Sequence, residues 1–375
     1  MRAPSILGIV SYKVFPAQMG GQKCVAEWYA HLALEAKIIL AVSKDNPPAE
    51  NSVYKILPFL YNHWWGILNL RYLYKLTMLI KEQVIDVIII EHSYFGWLGL
   101  LLQWLTKKPF VIRSHNIEAQ RFRDMQRSLW RLYGWYEKWI HQKAAHSFFI
   151  TLEDMRWALQ HWHLDPSKCS LLAHGTDILH PPSIQERKRC REELLAAHTL
   201  KPVTTLFLFN GSLNYLPNID ALRIIISELL PILQVLKFDF RIFICGKGLS
   251  EQWEEVLNAH PQLIYKGFVE NIETYFTGAD CFINPVTLGG GIKIKLVEAL
   301  AHNQTVISTR TGAQGIARVL VDEKLLRVDD YNWQAFAQTM AGKGIHEHRD
   351  TPAAFYREFN WHTIVQKALL SLQAL

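Results

Sequence analysis

Cysteine is sparse and scattered in this chain. The residues at 24, 169, 190, 245 and 281 are odd in number and form no CxxC pair. Neither a disulfide framework nor a cysteine zinc site is expected, and a reducing cytoplasm is the default compartment. Long apolar runs are also missing. The opening MRAPSILGIVSY has one charge, a short apolar run and no signal-peptide core or cleavage site. GWLGLLLQWL, at 96–105, falls well short of the ~20 residues that a membrane-spanning helix requires. The expected protein is cytoplasmic, either free or peripheral on the inner face of a membrane. Zinc-finger spacings and aromatic RNA-binding signatures are absent, and a formal charge of +6 is too mild and too dispersed to indicate nucleic acid. That charge suits smaller acidic partners such as nucleotides and phosphates, or an anionic membrane surface.

What is present is a repeated alternation. With 375 residues, half of them hydrophobic, the chain can bury two cores of ordinary size. SILGIVS (5–11), KIILAVS (37–43), VIDVIIIE (84–91), PFVIRSH (109–115), SFFIT (147–151) and CSLLAHG (169–175) read as strands. Helical patterns lie between them, over 20–34, 66–83, 94–105 and 117–143, with a Pro-rich loop after the second strand. The polar, proline-containing run TDILHPPSIQERKRC (176–190) breaks the rhythm and reads as a linker. The alternation then restarts with TTLFLFN (204–210), DFRIFICG (239–246), QLIYKG (262–267), DCFINPV (280–286) and QTVIST (304–309). Each half is expected to be a doubly wound α/β unit, in which ligands bind beyond the carboxyl ends of the strands.

Several strand ends carry residues suited to anions and sugars. After strand 280–286 come Gly289, Gly290 and Gly291, then a helix expected from about 291 to 302 that carries Lys293, Lys295 and Glu298. Free N–H groups at a helix start, a favourable dipole and the lack of Cβ atoms suit a phosphate. A carboxylate further along suits sugar hydroxyls. The plainer alternative is a glycine turn beside a solvated lysine face. Gly211 and Ser212 follow strand 204–210, where the backbone can approach a phosphate; the alternative there is a helix-start turn capped near Pro217 or Asn218. Gly246 and Gly267 end two further strands and also fit ordinary turns. Gly20 and Gly21 open a helix after the first strand. His115 lies just past the strand over 109–114, with Arg113, Asn116 and Glu118 around it. His92 and Glu91 end strand 84–91. Two carboxylates flanking a bond would suit a glycosidase, yet nothing in the sequence pairs Glu91 with Glu118.

Taken in order, these blocks resemble glycosyltransferase family 4. The likeness is carried by GGQKCVAEWYAHLA, VIRSHNIE, LLAHGTD, FNGSLNYLPNIDAL, FICGKG, YKGFVENIETYFTGADCFINP, GGGIKIKLVEALAHNQTVISTRTGAQGI and FYREFNWHTIVQKALLSL, which together span nearly the whole chain. The resemblance implies an α/β GT-B fold, two doubly wound Rossmann-like domains facing a central cleft. The expected division is 1–175 for the acceptor-side domain, 176–190 for the linker, 191–355 for the nucleotide-sugar domain, and 356–375 for a helix crossing back. It implies a retaining transferase that moves a sugar from a nucleoside-diphosphate sugar to a hydroxyl of a glycan or lipid-linked acceptor, with no cofactor and no metal.

By the same resemblance, Gly20, Gly21, Gly211, Ser212, Gly246, Gly267, Phe268, Val269, Gly289, Gly290, Gly291, Ile292, Lys293, Lys295 and Glu298 would bind the donor. Phe268 and its neighbours would frame the base, and Glu298 the ribose. His115 and Lys295 would be catalytic, and Arg113, Asn116 and Glu118 would contact the acceptor. One departure stands out. The family usually carries a second glutamate where this chain has Gly290, and an Arg and a Lys where it has Asn214, Tyr215 and Asn218. This shifts the electrostatic load onto Lys293 and Lys295. Two rivals share the architecture: a nucleotide-sugar epimerase, and a sugar-nucleotide- or glycan-binding subunit without activity.

One further stretch stands apart from the site. RFRDMQRSLWRLYGWYEKWIHQK (121–143) holds six Arg or Lys against two acidic residues, with five Trp or Tyr among them. NHWWGILNLRYLYKLTMLIK (62–81) has a similar character. Such helices can lie in a membrane interface or pack on the sheet with a solvated basic face; nucleic-acid binding would lack base-reading elements.

Overall fold

The apolar runs become parallel strands, and each run is continuous because helices cover both faces of its sheet. A computed structural model gives the structure of the protein, describing residues 2–17, 19–47, 53–61, 68–346 and 349–375. Cα proximity divides it into two compact units: residues up to Gly175 with Gly290–Ile292 and Trp361–Leu375, and Thr176–Gly289 with Lys293–Asn360.

The first unit contains β1 (Ser5–Ile9), β2 (Lys37–Ser43), β3 (Lys55–Leu60), β4 (Val87–Glu91), β5 (Phe110–Ser114), β6 (His146–Phe149) and β7 (Cys169–Leu171). Their order in the sheet is β3-β2-β1-β4-β5-β6-β7. The helices are α1 (Gly20–Leu32), α2 (Arg71–Glu82), α3 (Gly96–Thr106), α4 (Glu118–Asp124), α5 (Trp130–Lys143) and α6 (Leu152–Trp162). On α1 the residues Val25, Trp28, Tyr29 and Leu32 recur at helical spacing and pack on one face of the sheet. On the other face α2 contributes Tyr72, Leu76 and Ile80, α3 contributes Leu98 and Leu102, and α5 contributes Ile140.

The second unit contains β8 (Thr205–Asn210), β9 (Phe240–Cys245), β10 (Leu263–Gly267), β11 (Cys281–Asn284), β12 (Thr305–Thr309) and β13 (Leu325–Val328), ordered β10-β9-β8-β11-β12-β13. Its helices are α7 (Ile184–Ala197), α8 (Leu216–Ile224), α9 (Leu230–Val235), α10 (Glu251–Asn258), α11 (Ile272–Gly278), α12 (Ile294–Ala301), α13 (Arg318–Val321), α14 (Trp333–Ala341) and α15 (Ala353–Glu358). The last helix, α16 (Trp361–Gln373), belongs to the first unit and packs beside α1. In each sheet the strand order reverses once, between β1 and β4 and between β8 and β11. Those two points open the crevices in which doubly wound sheets hold ligands.

The structure departs from the sequence expectations in five places. β3, taken as loop, is a strand containing Pro58; it lies at the sheet edge, where a missing N–H is tolerated. β13 was not expected either, because LLRV is short and interrupted by an arginine. The stretch 117–143 is two helices, broken by Gln126 at φ 55, with no glycine or proline to signal the break. The second half of the expected linker is helix: α7 starts at Ile184, and Ser183 Oγ caps it by accepting from the Glu186 N–H. The helix after the glycines starts at Ile294 rather than 291, with Lys293 as its cap residue. Residues 66 and 67 of the helix expected over 66–83 lie outside the described residues; α2 covers Arg71–Glu82.

Trp361 anchors α16. It is 2% exposed, stacks on His31 at 5.0 Å between ring centroids and meets His174 edge-on at 5.1 Å. We expect Trp361→Ala to destabilise the protein by about 3–5 kcal/mol, read from urea unfolding. A change below about 1 kcal/mol would contradict this packing.

Candidate active site

In the second unit, the strand ends β8, β9 and β10 are stitched together by backbone bonds. The Gly211 N–H donates to Cys245 O at 3.1 Å, and the Gly246 N–H to Gly267 O at 2.7 Å. Gly246 has φ +153, and a Cβ there would lie 1.9 Å from Gly211 O, so only glycine fits. Past β10, Phe268 is 68% exposed, with Lys247 Nζ 5.1 Å above its ring, while Val269 is half-buried.

β11 leads into the glycine loop, where Gly289 has φ +82, and then into α12, which no side chain caps. Lys293 Nζ donates to Gly289 O at 2.9 Å. Lys295 reaches across the point of strand reversal: its Nζ donates to Asn210 O at 3.2 Å and Asn218 Oδ1 at 3.0 Å, and lies 4.4 Å above the Phe209 ring. These neighbours are carbonyl dipoles and a ring face. Burial, reinforced by the charge of Lys293, therefore outweighs the pull of Glu298 and pushes Lys295 down to about 7. Glu298 is half-buried in the second turn of α12. Ser212 stands beside this group, with its carbonyl accepting from Asn218 Nδ2 at 2.9 Å. Asn218, weighed earlier as a possible cap, is not one: α8 begins at Leu216, and Asn218 holds Ser212 and Lys295 in place.

In the first unit, Gly20 and Gly21 are exposed at the start of α1, where Gln22 Oε1 accepts from the Met19 N–H at 3.0 Å. Beyond β4 and β5 lies a dense polar network. Arg113 is fully buried, and its guanidinium lies 4.9 Å above the Trp28 ring. It donates to Glu91 Oε2 at 3.1 Å, to Cys24 O at 3.3 Å and to Cys24 Sγ at 3.2 Å. His115 Nε2 lies 2.5 Å from Glu91 Oε2. At that distance from a carboxylate Nε2 must carry a proton, so the nearby Arg113 Nη1 is a neighbour of that nitrogen and not a donor to it. Burial depresses the basicity of His115, but Cys24 and Glu91 prevail and raise it to about 9; Glu91, despite its burial, is drawn down to about 2 by Arg113 and His115.

His92 packs against His115 with ring centroids 4.2 Å apart. Burial and the neighbouring charge of His115 lower its basicity, while Glu118 and Glu91 act the other way. Its Nδ1 lies 3.1 Å from Glu118 Oε1. Its backbone has φ 60 and ψ 166, a region that is nearly glycine-only and that persists only when the surroundings enforce it. Glu118 accepts from Tyr94 Oη at 2.5 Å, Asn116 Nδ2 at 3.4 Å and Arg121 Nη1 at 3.0 Å. Glu137, pushed up to about 8 by burial, accepts the N–H groups of Glu118 and Ala119 at the start of α4.

The two carboxylates at 91 and 118 are thus each matched to a histidine. Arg113 and Glu118, expected as acceptor contacts, are interior members of this network. The sequence reasoning assigned no role to Glu91, His92 or Cys24. The one available signal was an acid–histidine pair closing a strand next to the reversal in strand order.

The chain is similar to known proteins over most of its length. A profile described as Glycosyltransferase Family 4 matches residues 20–178, and one described as Glycosyl transferases group 1 matches 204–342. Over 343 residues the chain is 22% identical to an Escherichia coli UDP-Gal:alpha-D-GlcNAc-diphosphoundecaprenol alpha-1,3-galactosyltransferase, covering 87% of this chain and 85% of that one. Its fold matches sucrose-phosphate synthase from Thermosynechococcus elongatus with a TM-score of 0.72 at 17% identity, covering 100% and 99% of the two chains. HepE from Anabaena in complex with UDP-glucose matches with a TM-score of 0.71 at 15% identity, covering 99% and 100%. The fold is GT-B and the protein is a glycosyltransferase. Its first half matches a family 4 glycosyltransferase domain and its second half a group 1 glycosyltransferase domain.

The strain at His92 makes a specific prediction. Both His92→Gly and His92→Ala remove the ring, but only glycine relaxes the backbone. The Gly variant should be the more stable of the two by about 1–3 kcal/mol, the reverse of the usual order, as measured by urea unfolding. The Glu91 contact makes a second. The imidazole of His115 should stay charged to about pH 9. In Glu91→Gln the carboxylate that favours the charged ring is gone, so the NMR titration of His115 should move down by more than about one unit; an unmoved midpoint would exclude the contact as its cause.

Proposed function

We propose that this enzyme moves a sugar, of hexose type, from a nucleoside-diphosphate sugar to a hydroxyl of a glycan or lipid-linked acceptor, with retention of anomeric configuration. The observation that carries the proposal is Lys295: a half-buried amine at the point of strand reversal, held by Asn210 O and Asn218 Oδ1 with no carboxylate among its hydrogen-bond partners in the described residues. Such a group is built to receive an anion.

The leaving diphosphate gains negative charge in the transition state, so fixed cations and amides there lower the barrier. Lys293, Lys295 and the backbone of Gly211, Ser212 and Gly246 fill that role in the proposal. This positive charge does the work that a metal does elsewhere, and no cofactor is invoked. Glu298 takes the ribose hydroxyls, and Gly267, Phe268 and Val269 frame the base. At position 290, where the family carries a glutamate, the sugar contact falls to the backbone of the glycine loop from Gly289 to Ile292.

The first unit serves the acceptor, while Gly20 and Gly21, at an anion-tolerant helix start, are assigned to the donor. His115 donates to a sugar hydroxyl, Asn116 stands beside it, and Glu91, Arg113 and Glu118 position these groups. A phosphate oxygen of the leaving group receives the acceptor proton. The names of the relatives support this reading: a UDP-galactose-dependent enzyme acting on a diphosphoundecaprenol acceptor, and a protein solved with UDP-glucose. A lipid-linked acceptor would place the enzyme peripherally at the inner face of the membrane.

The test is a thermal-shift screen of UDP, GDP and ADP and their sugar conjugates, followed by turnover. One nucleotide should raise the melting point, by mass action worth about 2.7 kcal/mol at a hundredfold excess over Kd. Because Lys295 titrates near 7, the free protein at pH 8 must take up a proton to present a charged amine. Affinity should therefore weaken as pH rises from 7 to 9, with proton uptake seen by calorimetry in two buffers, and Lys295→Met should abolish both effects. A screen in which no nucleotide shifts the melting point would overturn the proposal. Donor binding with no transfer to any acceptor would indicate a binding subunit.

A further inference from the structure

The outward side of α5 does not follow the usual rule for a helix that covers a sheet. Its inner side is accounted for: Ile140 packs in the core, and Glu137 holds the start of α4. Its outer side should be polar, yet Leu129 (69% exposed), Leu132 (65%), Trp135 (68%) and Trp139 (38%) recur there at spacings of three and four residues. Arg127 and Arg131 are exposed along the edge of this stripe. The two acidic residues of the 121–143 segment do not offset them, since Glu137 is turned inward and Asp124 pairs with Arg123 at 3.3 Å. An exposed apolar stripe of this kind marks an interaction surface. Its basic border selects an acidic partner.

The neighbouring helices repeat the pattern. α2 and α3 lie on the same face of the sheet as α5. On α2, Tyr74 and Met78 are exposed beside Lys75; on α3, Trp104 is 69% exposed close to the exposed Lys107. One layer of helices therefore presents leucine, tyrosine and tryptophan edged with lysine and arginine. Apolar side chains with tryptophan sink into the region between lipid headgroups and tails, and basic side chains bind anionic headgroups. No helix among the described residues is long and apolar enough to cross a bilayer, so attachment through this layer would be to a surface.

We propose that the outward face of α5, flanked by α2 and α3, docks the enzyme on an anionic lipid bilayer. This deepens the lipid-linked acceptor of the proposed function, but its geometry stands without that reading, and so does its test. The purified full chain is floated with vesicles of phosphatidylcholine containing about 30% phosphatidylglycerol, and with phosphatidylcholine alone. It should float with the anionic vesicles, release as salt rises, and show a blue shift of tryptophan emission on binding. Leu132→Glu and Trp135→Glu should each weaken binding by about tenfold or more. Val319→Glu, at an 84% exposed position in the second unit, should bind as the wild type does. Unchanged nucleotide thermal shifts in the α5 variants would show that they are folded. The proposal fails if the wild type does not float, if the α5 variants float equally well, or if the chain is a concentration-dependent dimer that Leu132→Glu dissociates. In that last case the face is covered by a second copy. Loss of nucleotide binding in the wild type would count against the donor site and leave the docking face untouched.

Discussion

A guanidinium without access to water must be answered from within the protein, and the answer given to Arg113 organises the first unit. Leaving such a charge unpaired in the interior would cost several kcal/mol. Glu91 supplies the countercharge, the carbonyl and sulfur of Cys24 take two of its hydrogen bonds, and Trp28 lies under its plane. Because Cys24 and Trp28 are both on α1, the ion pair fixes that helix against the ends of β4 and β5. His115 is then bound to the same carboxylate oxygen, and His92 to His115 by stacking. The charge on His115 thus depends on Cys24 and Glu91, the two groups that also hold Arg113. Buried ion pairs add little net stability, yet the proposed hydrogen bond to a sugar hydroxyl would draw on the geometry they fix.

The second unit solves a related problem the other way. Lys295 also sits at a strand reversal, but its hydrogen-bond partners are a main-chain carbonyl and an asparagine oxygen. Dipoles stabilise an ammonium less than a carboxylate does, so this amine keeps part of its capacity to interact with charge. Of the two sites, one is internally neutralised and the other is poised for an external anion. In the proposed function this division lets one unit orient neutral sugar hydroxyls and the other manage a diphosphate.

Much of this was legible in the sequence. The alternation of apolar runs gave eleven of the strands, and the ordered motifs gave the family. The rest was hidden for identifiable reasons. β3 contains a proline, which argues against a strand unless one knows that it lies at an edge. The break at Gln126 needs a positive φ that no glycine announces. In the site, the positions of Lys293 and Lys295 at the helix start after the glycines, and of His115 at a strand end, could be read from spacing. The partnerships Glu91–His115 and His92–Glu118 could not, because they join residues on separate elements whose side-chain directions depend on register. Asn218 looked like a helix cap because sequence shows where an asparagine stands, not what its amide reaches.

The packing of α16 carries a temporal implication. Trp361, Ile364 and Val365 share a core with Ile6, Val25 and Trp28, although residues 176–360 intervene. A nascent chain leaves the ribosome in order, so the first unit waits with an open flank until the whole of the second has been made. Premature termination anywhere in that interval leaves α1 without its neighbour and exposes the part of that apolar face which Trp361, Ile364 and Val365 would cover. The first unit is in this sense closed by a helix that the chain supplies only after the second unit.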